Sequence, residues 1–267
     1  MDDTSFDAAW RALAAARREA RAIESWPADR IPSDLVEAYR LQAAVTRELG
    51  AIGGWKVAAV TPAQRETLGV DVAIGAPLLQ PWMHDFRRSA AELRIADFIA
   101  PKLECEFAFE LARDLPPRPD QAYSRKEVEA AILAMRIAVE IVDSRLPRGL
   151  GTRAELADAF NNGAFVAGPR IHAWHGLDFA ALTMVLTRAE GGTSEEIARG
   201  SGAAILDGDP FGTVVMLANA PPASTRGLLA GDIVTTGSCS GAPRLPGVGS
   251  YRADFGALGS VAFHFAP

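Results

Sequence analysis

The sequence lacks most of what would send a chain out of the cell or through a membrane. Of its 267 residues only two are cysteines, Cys105 and Cys239, too few for the disulfide framework of a small secreted domain. No apolar run reaches the roughly 20 residues that a membrane-spanning helix needs. The opening stretch MDDTSFDAAW is acidic, with no apolar segment of the signal-peptide kind, so a cytoplasmic protein with no membrane partner is expected. Basic charge is not in excess either. Lys and Arg number 27 against 33 Asp and Glu, for a formal charge of −6, which argues against nucleic acid as a partner. The one basic cluster, Arg11, Arg17, Arg18 and Arg21, reads as a solvated helix face. No G-x-G-x-x-G follows a strand and there is no P-loop, so nothing points to a dinucleotide or ATP. Histidine is scarce, and His84, His172, His175 and His264 form neither a zinc motif nor an acid-paired base.

What is present is apolar mass, 49% of the chain, enough for a sizeable core. Residues 1–50 read as a helical region. Phe6, Trp10 and Leu13 fall at helical spacing, Ser33 or Asp34 can cap a second helix, and Gly50 can stop it. From GWKVAAV onward the chain reads as a β-rich body over 51–267, one structural unit. Strands are expected in GWKVAAV, LECEFAFEL, GAFVAGP, ALTMVLTRA, DIVTTGS and SVAFHF, and a turn and loop in GAPLLQPW. A long helix is expected over SRKEVEAAILAMRIAVE, opened by the capping box of Ser124 and Glu127, and passing into a strand at VEIVDSR. A second is expected in DPFGTVVMLANA, with Asp209 as cap and Pro210 at its first position. The pattern is α+β rather than a regular βαβ alternation.

Chemistry concentrates in PKLECEFAFEL. Side chains alternate along a strand, so Glu104 and Glu106 share one face while Leu103, Cys105 and Phe107 take the other. Two acids on one face in apolar surroundings must gain a proton or a cation. They fit either a hard divalent ion or an edge strand facing water, and spacing alone leaves both open. Glu140, at the expected helix-to-strand junction, is a candidate third ligand or a partner of Arg136 or Arg145, with Asp143 close by as an acceptor. Lys56 is a desolvated acid–base with a lowered pKa, or a strand lysine facing water. GSCSG imitates a nucleophile elbow around Cys239, but the prolines and glycines after it leave no helix to complete one.

In order along nearly the whole chain, EAYRLQ, GWKVA, PKLECEFAFEL, AVEIVDSR, LADAFNNGAFVAGP, GDPFGTVVMLAN, GDIVTTGS and ADFGALGSVAFHF resemble the 2-keto-4-pentenoate hydratase and 2-oxo-3-hexenedioate decarboxylase group of the fumarylacetoacetate hydrolase superfamily. The resemblance implies a mixed, rolled β-sheet body behind an N-terminal helical region, and a homo-oligomer. It implies Mg²⁺ or Mn²⁺ held by Glu104, Glu106 and Glu140, Lys56 and Asp158 as catalytic residues, and Thr236, Ser238 and Asn162 at the substrate. DAFNNG departs from the usual pattern at Ala159, Asn161 and Asn162, and Trp82 stands where smaller groups are usual. The implied activity is a hydro-lyase acting on 2-hydroxy-2,4-dienoates or 2-keto-4-enoates through a metal-bound enolate. A decarboxylase, a hydrolase of acylpyruvates and a silent binding or assembly module stay open as alternatives. Arg145, Arg153 and Arg244 are candidates to meet a distal carboxylate.

Overall fold

The computed structural model describes residues 1–85, 91–219 and 226–267. Two helices lead. In α1 (Asp3–Arg18) the Asp2 carboxylate accepts from the Ser5 amide, and in α2 (Leu35–Leu49) Asp34 accepts from Glu37 and Gly50 closes the end. Each thus has the side-chain cap that its first orphan amides need. Then come β1 (Ile52–Ala58), α3 (Pro62–Leu68), β2 (Ile74–Leu79), β3 (Met83–Asp85), β4 (Ala91–Arg94), β5 (Lys102–Leu111), α4 (Arg125–Glu129), β6 (Ile132–Val142), α5 (Thr152–Ala157) and β7 (Asn162–Ile171). The chain ends with β8 (Thr183–Glu190), β9 (Thr193–Ser201), α6 (Pro210–Asn219), β10 (Ile233–Ser238), β11 (Gly249–Asp254) and β12 (Ser260–Ala266). Ala220, the last residue of the expected DPFGTVVMLANA helix, lies outside the described residues. Among the described residues no helix is long and apolar enough to cross a bilayer.

The strands form two mixed sheets, one in the order β2-β1-β10-β5-β6-β7-β3 and one in the order β4-β12-β11-β8-β9. One face of the larger sheet packs on the smaller one. There Phe107 meets Phe179 and Phe255 at ring centroid distances of 5.2 and 5.6 Å, and α6 adds Phe211 against Phe109 at 5.2 Å. The opposite face is curled inward, so that Leu78 of β2 joins Phe165 and Ala167 of β7, with Ala108, Ala138 and Ile233 between them. The helical region seals one side, where Leu13, Leu41 and Val45 pack with Ala154 and Ala157 of α5.

Two expected elements are different in the structure. The long helix over SRKEVEAAILAMRIAVE ends at Glu129, after its Ser124 capping box, and Ile132–Val142 is strand β6. The cap is a real local signal, but the residues after it are buried on both faces, and such a run carries no period to separate helix from strand. The β-branched Ile132, Ile137, Val139 and Ile141 fit the sheet. GAPLLQPW is likewise not a loop. Ile74–Leu79 forms strand β2 with all six residues buried. Its Pro77 is tolerated because β2 is an edge strand.

Candidate metal centre

Strands β5 and β6 bring the three acids together. Glu104 stands directly opposite Glu140 in register, and Glu106 follows on the same face two residues on. One oxygen from each of Glu104, Glu106 and Glu140 lies within 4.8 Å of the others. Glu106 and Glu140 are buried and Glu104 is partly exposed. Glu140 therefore sits inside a strand, and not at a helix junction.

Each buried acid is held from outside the cluster. Strand β10 breaks register between Thr235 and Ser238. This frees the amides of Thr236 and Gly237, which donate to Glu106 Oε2 at 3.1 and 2.9 Å. Glu140 Oε1 accepts from Asn162 Nδ2 at 3.0 Å and meets Lys56 Nζ at 2.8 Å. Glu140 Oε2 is buried with no hydrogen-bond partner, an expensive state for a carboxylate oxygen. Lys56 also donates to the Phe160 carbonyl at 3.2 Å.

The electrostatics follow from this crowding. Burial, offset by Lys56 and reinforced by Glu140, pushes Glu104 up to about 7. Burial, then the charges of Glu140 and Glu104, carries Glu106 well above the usual carboxylate range. For Lys56 burial works downward, but Glu140 and Glu104 outweigh it and hold the ammonium above its ordinary value. The lowered pKa expected of a desolvated lysine is absent because the lysine is buried among three acids. A divalent cation fits these residues. It would take the free Glu140 oxygen, neutralise the repulsion, and find the hard oxygen donors that such ions prefer.

The other expected site residues divide. Asn162 is in the cluster, as the donor to Glu140. Ser238 stands opposite Glu106 in register, and its hydroxyl donates to the Gly241 carbonyl at 2.6 Å. Thr236 contributes its amide only; its fully buried hydroxyl is spent on the Phe107 carbonyl at 2.9 Å. Asp158 does not reach Lys56 through its carboxylate, whose oxygens accept from Arg145 Nε at 2.9 Å and the Arg145 amide at 3.2 Å. That pair anchors a turn in which Ala159, Phe160 and Asn161 all have positive φ. This costly conformation for non-glycine residues aims the Phe160 carbonyl at Lys56. Asp143 accepts from the Ile99 and Ala100 amides and secures the approach to β5. Cys105 and Cys239 are buried, and burial pushes the Cys105 thiol up to about 12, which suits packing rather than catalysis.

Arg17 escaped the sequence reading. It is not on a solvated face but buried, with its guanidinium on Asn162 and Gly163. A signal was available: Arg17 lies four residues after Leu13, on the apolar stripe of α1. Arg145 is buried and committed to Asp158, so it is not free for a distal carboxylate, while Arg153 is exposed and donates to the Ser33 carbonyl.

No family model matches the chain. Comparison with solved structures gives a TM-score of 0.85 to 4-oxalocrotonate decarboxylase from Pseudomonas putida G7, solved with magnesium and adipate. That match has 23% identity and covers 100% of this chain and 99% of the other. A fumarylacetoacetate hydrolase family protein from Yersinia pestis CO92 matches at a TM-score of 0.52 and 18% identity, over 79% of this chain and 92% of the other. The fold is therefore of the fumarylacetoacetate hydrolase type, with the curled mixed sheet that the resemblance implies. Among curated relatives, a 2-keto-4-pentenoate hydratase of Burkholderia vietnamiensis is 30% identical over 214 residues, 79% of this chain and 77% of that one. A 4-oxalocrotonate decarboxylase of a Pseudomonas species is 28% identical over 233 residues, 86% of this chain and 85% of that one. The chain belongs to the 2-keto-4-pentenoate hydratase family.

Proposed function

We propose that the chain is a divalent-metal-dependent hydratase that adds water to 2-hydroxy-2,4-dienoates or their 2-keto-4-enoate tautomers. The observation that carries this reading is the convergence of Glu104, Glu106 and Glu140 within 4.8 Å, with a buried, unpartnered oxygen on Glu140, in a chain of the hydratase family. Those three residues would hold Mg²⁺ or Mn²⁺. When bound, such a cation supplies Lewis-acid stabilisation of the negative charge that develops on the substrate's C2 oxygen.

The chain's own residues do the rest. Lys56 Nζ, fixed between Glu140 and the Phe160 carbonyl, carries the proton that moves on and off the carbon chain of the dienol. Protonation of the terminal carbon leaves an unsaturated ketone that can accept water by conjugate addition. Asp158 acts through Arg145, by holding the turn that orients Phe160. The Thr236 and Gly237 amides aim Glu106 and favour its ionised form against the burial that raises its pKa, and Ser238, opposite Glu106, meets the substrate.

The test is chelation. Protein stripped of metal should lose turnover of a dienol, read from its ultraviolet absorbance, and regain it with Mg²⁺ or Mn²⁺. Full turnover after complete stripping overturns the reading. Glu106→Ala should abolish metal binding and turnover together; a silent binding module would change only in stability.

A second reading, a decarboxylase of dicarboxylic substrates, is favoured by one feature beyond the 28% identical relative. Lys102 shares the Glu104 face of β5 and lies directly opposite Arg244 in an antiparallel bridge. Like charges facing each other in this way are unfavourable, and a second carboxylate would relieve them. Release of CO₂ from a 2-keto-3-enedioate, lost in Lys102→Glu, would establish it. The proposal includes a cytoplasmic homo-oligomer, checked by light scattering of the purified protein.

A further inference from the structure

We propose that Arg17, on the N-terminal helix α1, is a positioning residue of the carboxylate centre. It fixes the amide of Asn162 so that Glu140 keeps one oxygen free. The proposal rests on the cation-site reading of that centre.

The chain of contacts is short. Arg17 Nη2 donates to Asn162 Oδ1 at 3.1 Å and to the Gly163 carbonyl at 2.9 Å, and Nη1 donates to the Asn162 carbonyl. The Trp82 ring covers the guanidinium, with Cζ 4.5 Å from its centroid. On its other side Asn162 gives Nδ2 to Glu140 Oε1. A guanidinium only donates. It must therefore be met by Oδ1 of the asparagine, which turns Nδ2 toward Glu140. Were the amide reversed, Oδ1 would face the Glu140 carboxylate and repel it. With the observed orientation Oε1 is occupied by Asn162 and Lys56, and Oε2 remains the free acceptor.

This arrangement is costly. Arg17 is 7% exposed, its Nε has no partner, and Arg145 donates to the same Asn162 carbonyl at 2.8 Å. Two guanidiniums on one carbonyl repel. Burial, then Arg145, push Arg17 down to about 9, which still leaves it charged at neutral pH. A methionine or leucine at this place on the stripe would pack without those penalties. What the arginine adds is a fixed asparagine, and partners one contact removed from a metal commonly change its affinity by about 10–100-fold.

The experiment is a double-mutant cycle on Mn²⁺ affinity, measured by calorimetry on metal-stripped protein, with thermal melts of each variant. Arg17→Gln and Asn162→Ala should each weaken Mn²⁺ binding by about 10–100-fold, and the double variant should bind no more weakly than Asn162→Ala alone. Additive losses, or unchanged affinity in a folded Arg17→Gln, overturn the proposal. Should Arg17→Gln fail to fold, Arg17→Lys decides. It keeps the charge but loses the fork, so weaker Mn²⁺ binding at a near-normal melting temperature supports the role, and wild-type affinity overturns it. Wild-type protein that binds no Mn²⁺ overturns the cation reading of the centre, and this inference with it.

Discussion

Three carboxylates and one ammonium in a buried space set the behaviour of the centre. Glu104 and Glu106 both titrate above the ordinary 4.5. A carboxyl raised on folding favours the folded state fully only below its unfolded value. As pH rises from 4.5 through about 7 for Glu104, that advantage is lost. Metal-free protein should therefore lose stability across this window, while a divalent cation, which binds the ionised acids, should restore it. The rise in melting temperature caused by Mg²⁺ should grow between pH 5 and pH 8; a constant rise would contradict the argument. Lys56→Met separates proton transfer from ion binding. Turnover should fall by about 100-fold or more, while Mn²⁺ affinity holds or improves, because the ammonium competes for Glu140. Weaker Mn²⁺ binding in this variant would show that Lys56 supports the ligands instead.

At the level of elements, the centre depends on irregularities that β-patterns do not announce. Gly237 has φ 103°, and a Cβ placed on it would meet open space. Gly237→Ala therefore isolates backbone strain. It should cost about 1–3 kcal/mol in urea unfolding and weaken metal binding, since the Gly237 amide holds Glu106; loss of stability with unchanged affinity would mean that the bulge serves the fold alone. That Glu104 and Glu106 share one face was legible in the sequence because side chains alternate along a strand whatever the fold, whereas the residues alone left Lys56 open and the resemblance gave it its role. Glu140 was visible as a residue but assigned to the wrong element, since an apolar run buried on both faces has no period. The left-handed turn at Ala159–Asn161 was not legible at all. Nothing in DAFNNG requires three positive φ values; they are imposed by Arg145 on Asp158 and by the Asp143 amide on the Asn161 carbonyl. Contacts across long separations, such as Arg17 with Asn162, can be seen in a sequence only as a charge out of place on an apolar stripe.

Over the whole molecule, strand β5 belongs to two worlds. Its Glu104 and Glu106 enter the centre and its odd residues join the sheets. Phe107 touches Phe179 and Phe255 while its carbonyl receives the Thr236 hydroxyl. Phe107→Ala should cost about 3–5 kcal/mol and reduce Mn²⁺ affinity as well. Retained affinity in a destabilised but folded variant would show that core and centre are uncoupled. The N-terminal helices belong to the same system, because α1 carries the arginine that reaches Asn162.

The uneven burial of the three acids has a kinetic meaning. Glu104 is partly exposed, whereas Glu106 and Glu140 are sealed. A divalent ion held by these residues would reach solvent past Glu104, the least buried of the three. On the proposed function, a 2-keto acid seated on that ion would cover this side and act as a stopper. Oxalate, which imitates the head group, should slow the escape of Mn²⁺ to a chelator in stopped-flow mixing, even at concentrations where it hardly changes how tightly the ion is held.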